Sequence, residues 1–209
     1  MRLEMIGWKQ MMKGSICVAL AGMILLVTGC QSGIQRITEE EYQALLKAEV
    51  PKGLQDDKLF LGLHFGMTSK DFYATCWELN KQEILLAGGA NASAQFKPED
   101  LTPKGKIDFY PEFKEGKIYA MPFLASAEMW DITQKELYAK EYVKAVVQLM
   151  DRWYGTEFKL YEDPEAGKIL IDVQGSRETR VSIKDDQYVK VTITDLSQEE
   201  AFQNEVETE

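Results

Sequence analysis

The stretch DKLFLGLHFGMTSKDFYATCWELNKQ, residues 57–82, changes its apolar period partway along, and that change decides how the chain is read. Leu59, Leu61 and Leu63 alternate with Phe60, Gly62 and His64 between turn formers. This predicts a buried strand with His64 on its other face. Gly66 supplies a turn. Thr68 is placed to cap a helix, Asp71 lies three residues on where the helix dipole favours an acid, and Met67 can staple onto Phe72. Phe72, Thr75, Cys76 and Leu79 then recur at i, i+3, i+4 and i+7, one helix face bordered by Tyr73 and Trp77.

Upstream, Ile37-Thr38-Glu39-Glu40-Glu41-Tyr42 reads as another helix start, with Thr38 and Glu41 as a capping box. Leu45 and Leu46 continue its apolar face until Pro51 and Gly53 end it. Downstream, the small residues Gly88–Ala94 with Pro98, Pro103 and Gly105 predict a disordered loop reaching Lys106. Ile107 and Phe109 begin a strand, Lys114-Glu115-Gly116 turns, and Lys117–Glu128 forms the next, where Pro122 suggests an edge or a bulge. The longest helix is expected over Thr133–Tyr154, capped by Asp131 or Thr133 and ended by Gly155. Tyr138, Tyr142, Ala145, Val146, Leu149, Met150 and Trp153 share its apolar stripe. Strands near 156–161, 168–173, 178–183 and 187–194 follow, separated by polar turns, as a C-terminal β-meander. The expected fold is α+β, antiparallel sheet or sheets with two main helices packed on one face.

The N-terminus carries a different signal. Arg2, Lys9 and Lys13 precede an uncharged run from Gly14 to Thr28. Its apolar core is shorter than the roughly 20 residues a spanning helix needs. This is the layout of a secretory signal peptide over residues 1–29. Val27-Thr28-Gly29-Cys30 resembles the lipobox of bacterial lipoproteins. The resemblance implies cleavage before Cys30, diacylglycerol on its sulfur, and a further acyl chain, such as palmitate, on the new N-terminus. Two or more chains hold a protein firmly to a bilayer, whereas one does so only marginally. Gln31 stands where enteric lipoproteins retained at the inner membrane have Asp, so the resemblance points to the outer membrane, facing the periplasm. The Gly66-Met67-Thr68 entry into a helix also resembles the BamE/SmpA-like small outer-membrane lipoproteins and the related β-lactamase-inhibitor-like modules, without the Gly-x-Pro of their helix-to-strand turn.

The expected organisation is then signal peptide (1–29), tether and short helix (30–56), globular domain (57–196) and acidic tail (197–209). Loss of the signal leaves 180 of the 209 residues, enough to bury a core without staples. The signal holds three basic residues and one acid, so the remainder is two charges more negative than the −10 of the whole chain. Such a surface repels nucleic acid, leaving the lipid on Cys30 as the link to the membrane. Cys17 leaves with the signal and Cys30 is acylated, so Cys76 has no disulfide partner and reads as an inert thiol on a helix stripe.

Chemistry is sparse. The single histidine excludes most metal clusters and catalytic triads, and no phosphate-binding glycine loop is present. Acid pairs such as Asp185-Asp186 read as solvated turns. The expectation is a non-enzymatic envelope protein without metal or cofactor, binding or supporting the assembly of an envelope partner. Trp77, Trp130 and Trp153 are its candidate contacts. A small carboxylate-dependent hydrolase is the rival reading, and a purely structural lipoprotein the third.

Overall fold

Capping chemistry sets the helix boundaries. The computed structural model describes residues 33–88, 93–129, 131 and 133–199. The signal peptide, Cys30, Trp130 and the acidic tail beyond residue 199 lie outside them. Thr38 and Glu41 close the expected capping box at the start of α1 (Glu39–Glu49). Thr68 accepts from the Asp71 amide at 3.2 Å and opens α2 (Ser69–Lys81). α3 (Ala139–Tyr154) ends at Gly155, whose φ of 64° is the left-handed conformation glycine adopts most cheaply. α3 begins six residues later than expected: Asp131 accepts from the Thr133 amide in a separate turn, and a 3₁₀ turn at Lys135–Leu137 intervenes.

The strands are β1 (Arg36–Ile37), β2 (Leu85–Ala87), β3 (Ala94–Phe96), β4 (Gly105–Phe109), β5 (Glu112–Lys114), β6 (Lys117–Ala127), β7 (Lys159–Asp163), β8 (Gly167–Gln174), β9 (Arg177–Ile183) and β10 (Val189–Asp195). They form one sheet in the order β1-β7-β8-β9-β10-β6-β4-β3-β2, with β5 also on β6. β1 pairs with β7 in parallel and the other pairs are antiparallel. The C-terminal meander is β7 to β10, and the fold is α+β.

Register assigns the faces. Val181, Val191 and Phe123 stand side by side on adjacent strands and join the main core. α3 buries Tyr142, Val146, Leu149 and Met150 in that core, and α2 adds Phe72, with Cys76 and Leu79 partly buried. The two main helices therefore serve one core, as expected. The next row, Ile171, Arg180, Thr192 and Pro122, lies on the opposite face because side chains alternate along a strand. α1 packs there, joining Tyr42 and Leu46 to Ile169, Ile171 and Val173 in a second apolar cluster. Its C-terminal end is tied to the β8–β9 turn: the Gly175 amide donates to Glu49 and the Ser176 amide to the Gly53 carbonyl. The short helix is thus part of the body and not of a tether.

Three local expectations are corrected. Residues 59–65 form tight turns and not a strand; Leu61 and Gly62 have φ of 57° and 75°, which reverses the chain and buries Leu59, Phe60, Leu63 and Phe65 together. The segment before Lys106 is not a disordered loop: it contains β3, and Leu101 between its two prolines is fully buried. Residues 89–92 of that segment are outside the described set. Pro122 is on a central strand rather than an edge, although that strand does carry a bulge nearby, where Glu112 registers with Ala120 but Phe113 with Ile118. Phe123 registers with Phe109 and Ala120 with Glu112, so on that side nothing opposes Pro122, and its missing N–H leaves no ladder bond broken there.

Candidate functional site

α2 turns its second stripe outward. The helix buries Phe72, which sends Tyr73 and Trp77, one and five residues on, to its flank; they are 54% and 63% exposed. Glu83 (φ 59°) turns the chain directly into β2, the last strand of the sheet. Leu85 points into the core and Leu86, 46% exposed, points out. Tyr110, 39% exposed, lies just after β4, and its hydroxyl meets that of Tyr73 at 2.5 Å. That contact, ahead of burial, holds the Tyr110 hydroxyl above its usual range.

These side chains line an open groove of about 390 Å³ together with Cys76, Leu86 and Ala94. Lys81 sits 5.5 Å from the Trp77 ring, a cation beside this largely aromatic and apolar floor. The Asn80 amide caps the Leu85 carbonyl at 2.9 Å, and no strand lies on the outer side of β2 among the described residues. The groove therefore combines exposed aromatic area with an unpaired strand edge, two features that favour an incoming extended segment. The Cys76 thiol, half-buried beneath it, is pushed up to about 11 by burial and is a poor nucleophile at neutral pH.

The predicted tryptophans part company. Trp77 faces solvent in the groove. Trp153 is engaged within the fold, its ring 5.5 Å from Phe60 and 6.2 Å from Phe96 and its indole N–H donating to Asp100 at 3.2 Å. Trp130 is outside the described residues. Tyr73, Leu86 and Tyr110 were not singled out from the sequence; Tyr73 was legible beside Trp77, whereas Leu86 and Tyr110 join them only through the sheet. His64 sits in a turn, its Nδ1 2.8 Å from the Phe65 carbonyl oxygen.

Carboxylates gather elsewhere, on the sheet face that carries α1. There Glu178, 3% exposed, accepts from Tyr42 Oη at 2.5 Å and from Arg180 Nε at 2.7 Å. Arg180 Nη2 also donates to Tyr42 Oη at 2.7 Å, and Nη1 to Asp163 at 3.3 Å. Burial first, then Glu178, push the Tyr42 hydroxyl well above its usual range. Glu112 accepts from Tyr119 Oη at 2.8 Å. Among the described residues no three His, Cys, Asp or Glu side chains are grouped to hold a metal.

No family model matches this chain, and neither the curated proteins nor the solved structures contain a match to it.

Proposed function

We propose that this chain is a lipid-anchored cell-envelope protein that performs no catalysis and holds an envelope partner at its aromatic edge. The observation that carries the reading is the grouping of Trp77, Tyr73, Tyr110 and Leu86 in one exposed groove beside the unpaired side of β2. The partner that fits is an extended apolar segment: its backbone pairs along β2 while alternate side chains enter the groove. Aromatic side chains of this kind dominate interface energetics. The anchor is Cys30, acylated after cleavage of residues 1–29, and the location is the outer membrane on its periplasmic side. The lipobox-like Val27-Thr28-Gly29-Cys30 and the likeness of Gly66-Met67-Thr68 to BamE/SmpA-like lipoproteins support this. Against a carboxylate-dependent hydrolase stands the engagement of two acids on that face: buried Glu178 is held by Arg180 and Tyr42, and exposed Glu112 by Tyr119.

A photoreactive residue replacing Tyr73 in intact envelopes tests the binding. The expected result is one discrete protein adduct that disappears with Trp77→Glu and is absent when the probe replaces Lys168, exposed on β8. Absence of any adduct, or an adduct indifferent to Trp77→Glu, overturns the reading. Intact-mass measurement of the native product tests the anchor separately; an unmodified Cys30 or a chain still starting at Met1 refutes it.

A further inference from the structure

The free side of β2 is open at one residue. Along an antiparallel strand the residues bonded to a given neighbour alternate with residues that turn their N–H and C=O away from it. The Gly88 amide donates to the Ser93 carbonyl at 2.8 Å, directly beyond the paired positions Leu86–Gln95 and Ala87–Ala94. Gly88 and Leu86 therefore bond inward to β3, and Leu85 and Ala87 turn their backbone groups outward. Asn80 reports the same phase independently, since its side-chain amide reaches the Leu85 carbonyl from α2 at 2.9 Å.

The two outward residues differ. The Leu85 carbonyl is taken by Asn80, whereas neither the N–H nor the C=O of Ala87 has a hydrogen bond among the described residues. Ala87 is also exposed. A strand residue that offers both groups to solvent is a template for pairing with another chain. Asn80 stops that template at its α2 end, because it occupies the acceptor that a longer pairing would need.

The pleat then assigns the face. Leu85 points into the core that Phe72 of α2 also enters, and Ala87, two residues on, lies on the same face. Directly opposed residues of adjacent strands share a face. A side chain opposite Ala87 thus projects on the α2 side of the sheet, where Tyr73, Trp77 and Tyr110 line the groove with Ala87 itself. The geometry points to a fixed register for the docked segment: an extended partner bonds the N–H and C=O of Ala87 and places the apolar side chain opposite Ala87 in the groove, while Asn80, holding the Leu85 carbonyl, keeps the pairing from sliding toward α2. This register rests on the docking reading given above and adds the two residues that set it.

Benzoylphenylalanine in place of Tyr73, in intact envelopes, is the probe, and adduct yield below saturation is the readout. Proline removes an amide hydrogen and is tolerated on edge strands where that N–H faces outward. Ala87→Pro should keep the parent Tm and lower the yield about threefold or more, the scale of one lost hydrogen bond. Leu86→Pro removes a bond to β3 instead and should lower Tm. Asn80→Ala releases the Leu85 carbonyl and should raise the yield about twofold or more on the same scale. An undiminished adduct in Ala87→Pro overturns the register alone when the adduct is still lost with Trp77→Glu; an adduct indifferent to Trp77→Glu overturns the docking reading and the register together. A fall in Tm in Ala87→Pro as large as in Leu86→Pro shows the Ala87 N–H to be spent within the fold and overturns the proposal. So does an unchanged or lower yield in Asn80→Ala, and so does an adduct with the mass of two copies of this chain, which assigns the edge to self-association.

Discussion

Arg180→Met removes the cation that compensates a nearly inaccessible carboxylate, and the cost follows from the geometry. Arg180 makes three charge-assisted bonds, to Glu178, Asp163 and Tyr42. Its loss leaves Glu178 with a single remaining donor, the Tyr42 hydroxyl. Breaking one side of a buried pair costs roughly 3–5 kcal/mol because the other charge stays behind, and the partial exposure of Arg180 at 37% places this case near ~3 kcal/mol. For a chain of this size 1 kcal/mol corresponds to about 2–4 °C, so Tm should fall by about 6–12 °C. Because the same three side chains pin α1 to the sheet, the helix amides of Glu39–Glu49 should lose hydrogen-exchange protection before the core does. The decisive comparison is the double variant Glu178→Gln/Arg180→Met. It discards the stranded charge as well, so it should recover at least ~1 kcal/mol relative to Arg180→Met, a coupling that urea titration resolves. A single-variant loss under about 1 kcal/mol, or a double variant as unstable as the sum of its singles, would refute the claim that the pair is buried and mutually dependent.

Other perturbations are equally direct. A methyl group on Gly105 would sit 1.8 Å from Tyr142 Oη and 2.6 Å from the Ser126 carbonyl, so Gly105→Ala should cost about 3 kcal/mol by overpacking; Tyr142→Phe in that background should return part of the loss and no more, because the backbone clash persists. Thr68→Ala removes the cap on the Asp71 amide and should cost about 1 kcal/mol in urea denaturation. Leu149→Ala, at a fully buried position of α3, should cost roughly 2–5 kcal/mol. Asp172 has its carboxyl raised chiefly by burial, so the folded chain binds that proton more tightly than the unfolded one and stability falls as pH rises through the window above the unfolded value of about 3.9. Asp172→Asn abolishes this contribution; the stability difference, variant minus wild type, should therefore grow with pH across that window, and a flat or falling difference would contradict the assignment.

Local chemistry was readable and long-range assembly was not. Thr38 with Glu41, Thr68 with Asp71, and Gly155 each act within a few residues of themselves, so their roles survive without a structure. The α3 stripe was likewise read correctly from Tyr142 to Met150 because one helix face sees one core. The alternation of Leu59, Leu61 and Leu63 misled because period two identifies a strand only where the backbone is extended. Here Leu61 takes a left-handed conformation that a leucine rarely adopts and that no local residue announces. β3 was invisible at three residues, too short to show a period. Trp77 was found as the neighbour of a core stripe. The groove around it was not, because Tyr110 reaches it from 37 residues away. The docking of α1 is more distant still, since Tyr42 and Glu178 are 136 residues apart.

The sheet order gives the two ends of the sheet different relations to the proposed anchor. β1 lies at one end of the sheet path and β2 at the other. A chain from Cys30 to Arg36 spans at most about 20 Å when extended, so an anchored Cys30 keeps the β1 edge close to the bilayer. Eight steps between adjacent strands, at about 4.8 Å each, separate β1 from β2 by roughly 40 Å measured along the sheet. The aromatic groove is thus carried at the opposite end of the sheet path from β1, and if the proposed anchor holds, a probe at Tyr73 should be less shielded by a bilayer than one at Arg36, which limited proteolysis or chemical labelling of intact envelopes measures.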